Sequence, residues 1–120
     1  MISAIFMKSL KKVIVVKMKD VSSKEFKDKL DDDNVVVVDV RTKKEHEKSK
    51  IPGSILMDIM QKDFRDKVSK LDKEKTYLVY CRSGSRSRHA VKIMQEEGIN
   101  SIYHLENGFI DWEYEGYEVE

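Results

Sequence analysis

The sequence of 120 residues has a single cysteine and almost no excess of charge of either sign, and each of these shortages excludes a class of protein. The only cysteine, Cys81, cannot close an internal disulfide, and no Cys-x-x-Cys pair exists for a structural zinc site or a thioredoxin-type centre. A reducing compartment fits this content best. The 23 lysines and arginines nearly cancel the 22 aspartates and glutamates, so the chain lacks a one-sided basic field, and we expect no nucleic-acid partner.

The sequence also lacks a long apolar run. Its moderately apolar start, residues 1–18, is interrupted by Lys8, Lys11 and Lys12, and no small-residue cleavage site follows. These features argue against a signal peptide and against a membrane-spanning helix. We therefore expect a cytoplasmic protein that makes no membrane contact.

What the sequence does contain is enough apolar residues for one core. Hydrophobic residues make up 40% and charged residues 38%, a mixture that favours a folded domain with a well-solvated surface. A chain of this length buries roughly two-thirds of the surface that it exposes when unfolded. We predict a single domain over residues 1–120, with its core at about residues 13–119.

Strand signals and helix signals alternate along the chain. Helices are predicted after the Ser22–Glu25 capping box, around Phe64 to Leu71, over residues 87–97 with Gly98 as the cap, and at Phe109 to Trp112. Residues 41–50 are charged and aperiodic, which indicates a loop that ends in a type II turn at Pro52-Gly53. Short β-branched or aromatic runs predict strands at Val13–Val16, Val35–Val38, Ile55–Met57, Tyr77–Tyr80 and Ile102–Leu105.

This alternation predicts an α/β fold, an open, mostly parallel five-stranded sheet with helices on both faces. The uninterrupted apolar run Val35–Val38 is typical of a strand that is covered on both sides. In such folds, ligands bind beyond the carboxyl ends of the strands. Asp39 and Cys81 each follow a predicted strand directly, so we expect both at that edge.

The loop after Cys81 has the residue types that an anionic sulfur requires. The small residues Ser83–Ser85 let the backbone curl so that its N–H groups face inward as an anion-binding nest. The next helix adds the positive end of its dipole, and Arg82 and Arg86 add positive charge, so the thiolate is favoured over the thiol. A buried, unreactive cysteine is the alternative, but two arginines directly after a strand suit an anion better than a core.

Five motifs, taken in their order along the chain, resemble those of the rhodanese domain over about residues 21–119. The resemblance implies an open α/β fold in which the cysteine loop surrounds a transferred sulfur. Asn107 stands where the first of two glycines is usual, and asparagine also tolerates a positive φ. The motifs are Asp39-Val40-Arg41, Ile51-Pro52-Gly53-Ser54, the Cys81–Ser87 loop, Glu106-Asn107-Gly108 and Trp112.

The resemblance also implies a two-step reaction. Cys81 is the nucleophile that takes sulfane sulfur from a donor such as thiosulfate and passes it to a thiol or cyanide acceptor. Arg86, with Arg82, binds the sulfonate end of the donor, and no metal or cofactor is needed for covalent relay through a thiolate. Thioredoxin-like or sulfur-relay proteins are further candidate partners. The predicted substrate-binding residues are Arg82, Ser83, Gly84, Ser85, Arg86 and Ser87.

Loop length separates two activities that this fold is known to host. Arg86 is the fifth residue after Cys81, which gives Cys-x4-Arg, whereas the related phosphatases resemble Cys-x5-Arg. The shorter loop suits a sulfur atom, so sulfur transfer is favoured over phosphatase activity, and arsenate reduction lacks a second cysteine. A non-enzymatic sulfur carrier or partner-docking module stays open, because it needs the same loop.

Other charged residues have weaker assignments. Taken alone, Asp39 is a polar strand end and Arg41 a solvated charge, but the resemblance makes both of them supports of the active-site rim, with Glu45 as a candidate third. The histidines His46, His89 and His104 lack the spacing of a metal site, and we expect them to be structural or exposed.

Overall fold

The structure, a computed structural model, describes residues 17–120, in which five strands and five helices alternate. The strands form one parallel sheet in the order β1-β5-β4-β2-β3, which confirms the predicted α/β class. No helix in this part of the chain is both long and apolar enough to cross a membrane. The strands are β1 Lys17–Val21, β2 Val35–Asp39, β3 Ile55–Leu56, β4 Thr76–Tyr80 and β5 Ser101–Leu105. The helices are α1 Ser23–Lys29, α2 Lys43–Lys48, α3 Phe64–Ser69, α4 Ser85–Glu96 and α5 Gly108–Tyr114.

Helices cover the sheet on both faces, as the apolar runs predict. Along β4, Tyr77 and Val79 pack with residues of α3 and α4, whereas Leu78 and Tyr80 pack with residues of α1 and α5. All four of these side chains are buried. Full burial of an apolar side chain contributes about 1.5–3 kcal/mol. A strand with no polar face is therefore stable only at the centre of the sheet, where β4 lies between β5 and β2.

The predicted caps and turn are present. Ser22 caps α1, where its hydroxyl accepts the N–H of Glu25 at 3.1 Å and the Glu25 carboxylate accepts the N–H of Ser22 at 3.5 Å. Gly98 follows the end of α4 with a φ of 91°, and Gly53 has a φ of 78°. The ends of the Ile51–Ser54 turn are joined by a hydrogen bond of 3.1 Å. Local signals of this kind are reliable here because the bonds that satisfy them form within a few residues.

One element differs from the sequence-based expectation. The predicted loop at residues 41–50 contains helix α2, which the Thr42 hydroxyl caps by accepting the N–H of Glu45 at 3.3 Å. Helix α2 has no fully buried residue, so its sequence shows no apolar period. The strand predicted at Val13–Val16 lies outside the described residues, so it stays a prediction. The described residues of β1, Lys17–Val21, contain no apolar run that would predict a strand, since only Val21 is fully buried.

The parallel strands bring their carboxyl ends to one edge, and Asp39 and Cys81 both lie there, as predicted. Asp39 is the last residue of β2 and pairs in register with Tyr80, the last residue of β4. Cys81 follows Tyr80 directly. The functional candidates therefore share the edge at which ligands bind in such sheets.

Candidate functional site

Cys81 lies inside a ring of hydrogen-bond donors from its own loop. Its Sγ accepts the N–H of Gly84 at 3.1 Å, and the N–H and the hydroxyl of Ser87, each at 3.2 Å. Only 1% of the Cys81 surface is exposed. An unreactive buried cysteine would face apolar groups, whereas this sulfur faces donors and the N-terminal end of α4, which favour negative charge. Of the loop amides that were predicted to face inward, from Arg82 to Ser87, those of Gly84 and Ser87 donate to the sulfur.

The cysteine loop is held against the segment that joins β5 to α5. Gly84 has a φ of 103°, and a Cβ there would collide with the carbonyl oxygen of Glu106. Gly108 has a φ of 73°, and a Cβ there would collide with the carbonyl group of Arg82. In the first turn of α5, the N–H of Phe109 donates to the carbonyl of Cys81 at 2.9 Å, and the N–H of Ile110 donates to that of Arg82 at 3.1 Å. Both glycines are thus required because one backbone lies directly on another.

Arg86, one of the two predicted donor-binding arginines, is bound to Glu45. Its Nη1 and Nη2 donate to the two carboxylate oxygens of Glu45 at 2.8 and 2.9 Å. These bonds, opposed by burial and assisted by Thr42, lower the pKa of Glu45 to about 2. Since Glu45 also closes the capping box of α2, that helix fixes the position of Arg86. The other predicted arginine, Arg82, is exposed.

Asp39 and Arg41 form a buried ion pair and are not solvated charges. The Asp39 carboxylate accepts bonds from the Arg41 guanidinium at 2.8–3.1 Å, from the Tyr80 hydroxyl at 3.0 Å and from His46 Nδ1 at 2.9 Å. Burial raises the pKa of Asp39, but hydrogen bonds from Arg41 and His46 outweigh it and hold that pKa below its ordinary value. The Arg41 guanidinium lies 4.4 Å from the ring centre of Phe109, so the pair supports the start of α5 beneath the loop.

A second pair, Asp20 and His104, lies on the other side of the cysteine and was not predicted. His104 is fully buried, its Nδ1 is 2.7 Å from Asp20 Oδ1, and its Nε2 is 2.6 Å from the Ser87 hydroxyl oxygen. Asp20 and His104 are direct partners in the β1–β5 register. No local motif marks either residue, and only the strand order brings them to the loop.

A shallow hollow opens beside the loop on the outer surface. Its lining includes Ile59, Met60, Ser85, Arg86 and His89. Met60 is 72% exposed, so the rim of the hollow offers an apolar side chain to solvent.

The comparisons with known proteins agree with this geometry. The model of the rhodanese-like domain family matches residues 22–115. The chain is 33% identical over 101 residues to the putative sulfurtransferase YtwF of Bacillus subtilis strain 168, covering 83% of this chain and 95% of the relative. It is 30% identical over 94 residues to the putative sulfur carrier protein YrkF of the same organism, covering 78% of this chain and 50% of the relative. The crystal structure of a rhodanese-related protein from Thermoplasma volcanium superposes with a TM-score of 0.75 and 30% identity, over 85% of this chain and 97% of that one.

Proposed function

Because the chain belongs to the rhodanese-like family, as the resemblance of its motifs predicted, we propose that it transfers sulfane sulfur through a persulfide on Cys81. The donor is thiosulfate or a persulfide, and the acceptor is a thiol or cyanide. The observation that carries the proposal is the set of three hydrogen bonds on Cys81 Sγ. Nucleophilic attack on sulfur requires a thiolate, and these donors stabilise one.

The reaction proceeds in two displacements at sulfur. In the first, the Cys81 thiolate attacks the outer sulfur of thiosulfate, the bond between the two sulfur atoms of the donor breaks, and sulfite leaves. In the second, a thiolate or cyanide attacks the outer sulfur of the persulfide, and Cys81 leaves as the thiolate. Each step exchanges one bond to sulfur for another, so neither needs an external oxidant or reductant.

The first turn of α4 offers further donors for the outer sulfur of the persulfide. The first N–H groups of a helix have no partner within the helix, and α4 begins at Ser85. The amides of Ser85 and Arg86 are therefore candidates for the transferred atom, while those of Gly84 and Ser87 hold Cys81 Sγ. A persulfide anion gains from such donors for the same reason as a thiolate does.

The test is the intact mass of the protein before and after treatment with thiosulfate. We expect a gain of one sulfur atom in the wild type, its loss with release of thiocyanate on adding cyanide, and no gain in Cys81→Ser. Serine matches cysteine in shape but cannot carry a persulfide. Normal thiocyanate production by Cys81→Ser would exclude the mechanism.

A sulfur carrier that receives its sulfur from a persulfide on a partner protein is the second candidate. It is favoured by the ion pair between Arg86 and Glu45, because a sulfonate would compete with a carboxylate already bound to both amino groups of the guanidinium. A persulfide donor has no sulfonate and needs no such cation. Thioredoxin-like or sulfur-relay proteins fit this candidate as partners.

The two candidates differ in their donors. Transfer to Cys81 from glutathione persulfide, without thiocyanate turnover from thiosulfate, would support the carrier. Steady turnover with thiosulfate and cyanide would support the enzyme. Release of phosphate from an aryl phosphate, with no sulfur bound by either donor, would exclude both.

A further inference from the structure

We propose that Ser87 and His104, with Asp20 behind them, form a proton relay that takes the thiol proton of Cys81 and stores it on His104. The relay would supply the thiolate that the proposed function needs, and it rests on that function only in assuming that the thiolate then attacks a sulfur donor. Ser87 touches the reacting sulfur, whereas His104 and Asp20 act through it as positioning residues.

The four side chains make one continuous row of hydrogen bonds. From Cys81 Sγ the separations are 3.2 Å to Ser87 Oγ, 2.6 Å on to His104 Nε2 and, across the ring, 2.7 Å from Nδ1 to Asp20 Oδ1. Asp20 pairs with His104 across β1 and β5, and His104 pairs with Val79 across β5 and β4. Cys81 is two residues beyond Val79, so the three side chains lie on the same face of the sheet.

The ionised state of Asp20 fixes the tautomer of His104. The hydrogen bond from His104, opposed by burial and assisted by Arg88, holds the pKa of Asp20 below its ordinary value. A carboxylate only accepts hydrogen bonds, so Nδ1 of His104 must carry a hydrogen. Nε2 is then the position at which His104 gains or loses a proton, and Nε2 faces Ser87.

The same hydrogen bonds can be donated in either direction along the row. When Nε2 carries no hydrogen, the Ser87 hydroxyl donates to Nε2 and the Cys81 thiol donates to Ser87 Oγ. With Nε2 protonated, the imidazolium donates to Ser87 Oγ and the Ser87 hydroxyl donates to the Cys81 thiolate. The first state becomes the second when the S–H bond and the old O–H bond break and a new O–H bond and an N–H bond form.

The surroundings favour the charge-separated state. The Asp20 carboxylate stabilises an imidazolium on His104, and Asp20 also pairs with the exposed Arg88 of α4 at 3.4 Å. On the sulfur side, the amides of Gly84 and Ser87 stabilise the thiolate, and Arg86 of the same loop is paired with Glu45. The Ser87 hydroxyl has one other acceptor, the Gly84 carbonyl at 3.1 Å, which is farther than His104 Nε2.

The test follows the rate at which iodoacetamide alkylates Cys81 as a function of pH, which needs no sulfur donor. In Ser87→Ala and His104→Gln we expect about a tenfold loss of rate at neutral pH, restored at high pH, because losing about 1.4 kcal/mol of thiolate stabilisation displaces the profile by about one pH unit. The matched control is Ser23→Ala, which removes a buried serine that bonds the carboxylate of Asp111 at 2.6 Å and has no hydrogen bond to Cys81. Its profile should coincide with that of the wild type.

A second measurement does not depend on these variants folding. The NMR signals of the His104 ring nitrogens at neutral pH should show a hydrogen on both nitrogens in the wild type and on Nδ1 alone in Cys81→Ser, because the proton that the relay stores comes from the thiol. The same hydrogens on the His104 ring in the wild type and in Cys81→Ser, or alkylation profiles unchanged in folded Ser87→Ala and His104→Gln, would overturn the relay. Failure of the wild type to take up sulfur would instead count against the proposed function, since both measurements are independent of sulfur transfer.

Discussion

Replacing Glu45 with glutamine isolates the charge of the Glu45–Arg86 pair. Glutamine also completes a capping box, so Glu45→Gln keeps the cap of α2 and removes only the negative charge. A pKa lowered from 4.5 to about 2 corresponds to about 3 kcal/mol of stability. The pair is partly exposed, with 29% of the Arg86 side chain and 27% of the Glu45 side chain accessible, so screening reduces the expected loss to about 1–2 kcal/mol.

The sign of the pH dependence follows from the direction of the pKa. Because the folded state lowers the pKa of Glu45, its contribution is present above about pH 4.5 and disappears as the pH falls through about 2. The assay is urea unfolding of the wild type and of Glu45→Gln from neutral pH downward. We expect the difference in unfolding free energy to shrink by more than half by about pH 3.

A double-mutant cycle with Arg86→Gln supplies the control for this assay. We expect a coupling free energy of about 1–2 kcal/mol at neutral pH, since the two side chains are in direct contact. A difference that stays constant down to about pH 3, or a coupling near zero, would refute the assignment of the stability to this pair. If thiosulfate is the donor, Glu45→Gln should also lower its KM, because the substitution releases the guanidinium.

Two further changes test the supports of the loop. Gly84→Ala should reduce persulfide formation at least about tenfold and destabilise the fold by about 1–3 kcal/mol, because its Cβ meets the Glu106 carbonyl. The control is Gly53→Ala, since Gly53 has a similar φ but open space around it. Its persulfide yield in the same mass assay should stay that of the wild type. Asp39→Asn should cost about 3–5 kcal/mol in urea unfolding, because it leaves the Arg41 guanidinium buried without its counter-ion. The control is Asp28→Asn in the exposed pair with Lys24, which should change the unfolding free energy by no more than about 0.5 kcal/mol. A loss in Asp39→Asn no larger than that of the control would contradict this reasoning.

The parts of the fold that could be predicted are those specified within a short stretch of sequence. The Cys81 loop was found because its small residues and arginines lie together between a buried strand and an amphipathic helix. Thr42 and Glu45 have the same capping spacing as Ser22 and Glu25, but α2 has no apolar period, and its sequence therefore resembles that of a loop. Capping signals alone would have found it.

The contacts that could not be predicted join residues that are distant in sequence. Arg86 and Glu45 are 41 residues apart, and Asp20 and His104 are 84 apart. Their meeting depends on the order of strands in the sheet, which the alternation of elements does not specify. At the Glu106-Asn107-Gly108 turn, the positive φ lies at Gly108, at 73°, whereas Asn107 has a φ of −99° and does not need the tolerance for which asparagine was considered.

These distant contacts change the account of how the sulfur is kept anionic. The sequence predicts that peptide dipoles, reinforced by the charge of Arg82 and Arg86, keep the sulfur anionic, but Arg86 is neutralised by Glu45 and Arg82 is exposed, where solvent weakens its field. What lies directly against Cys81 Sγ is a set of neutral donors, two amides and the Ser87 hydroxyl. Fixed dipoles at contact distance in a buried site are little screened, so they stabilise a thiolate without a guanidinium directly against it. Because the thiolate does not need the guanidinium, the pairing of Arg86 with Glu45 bears on the choice of sulfur donor rather than on the charge of the sulfur.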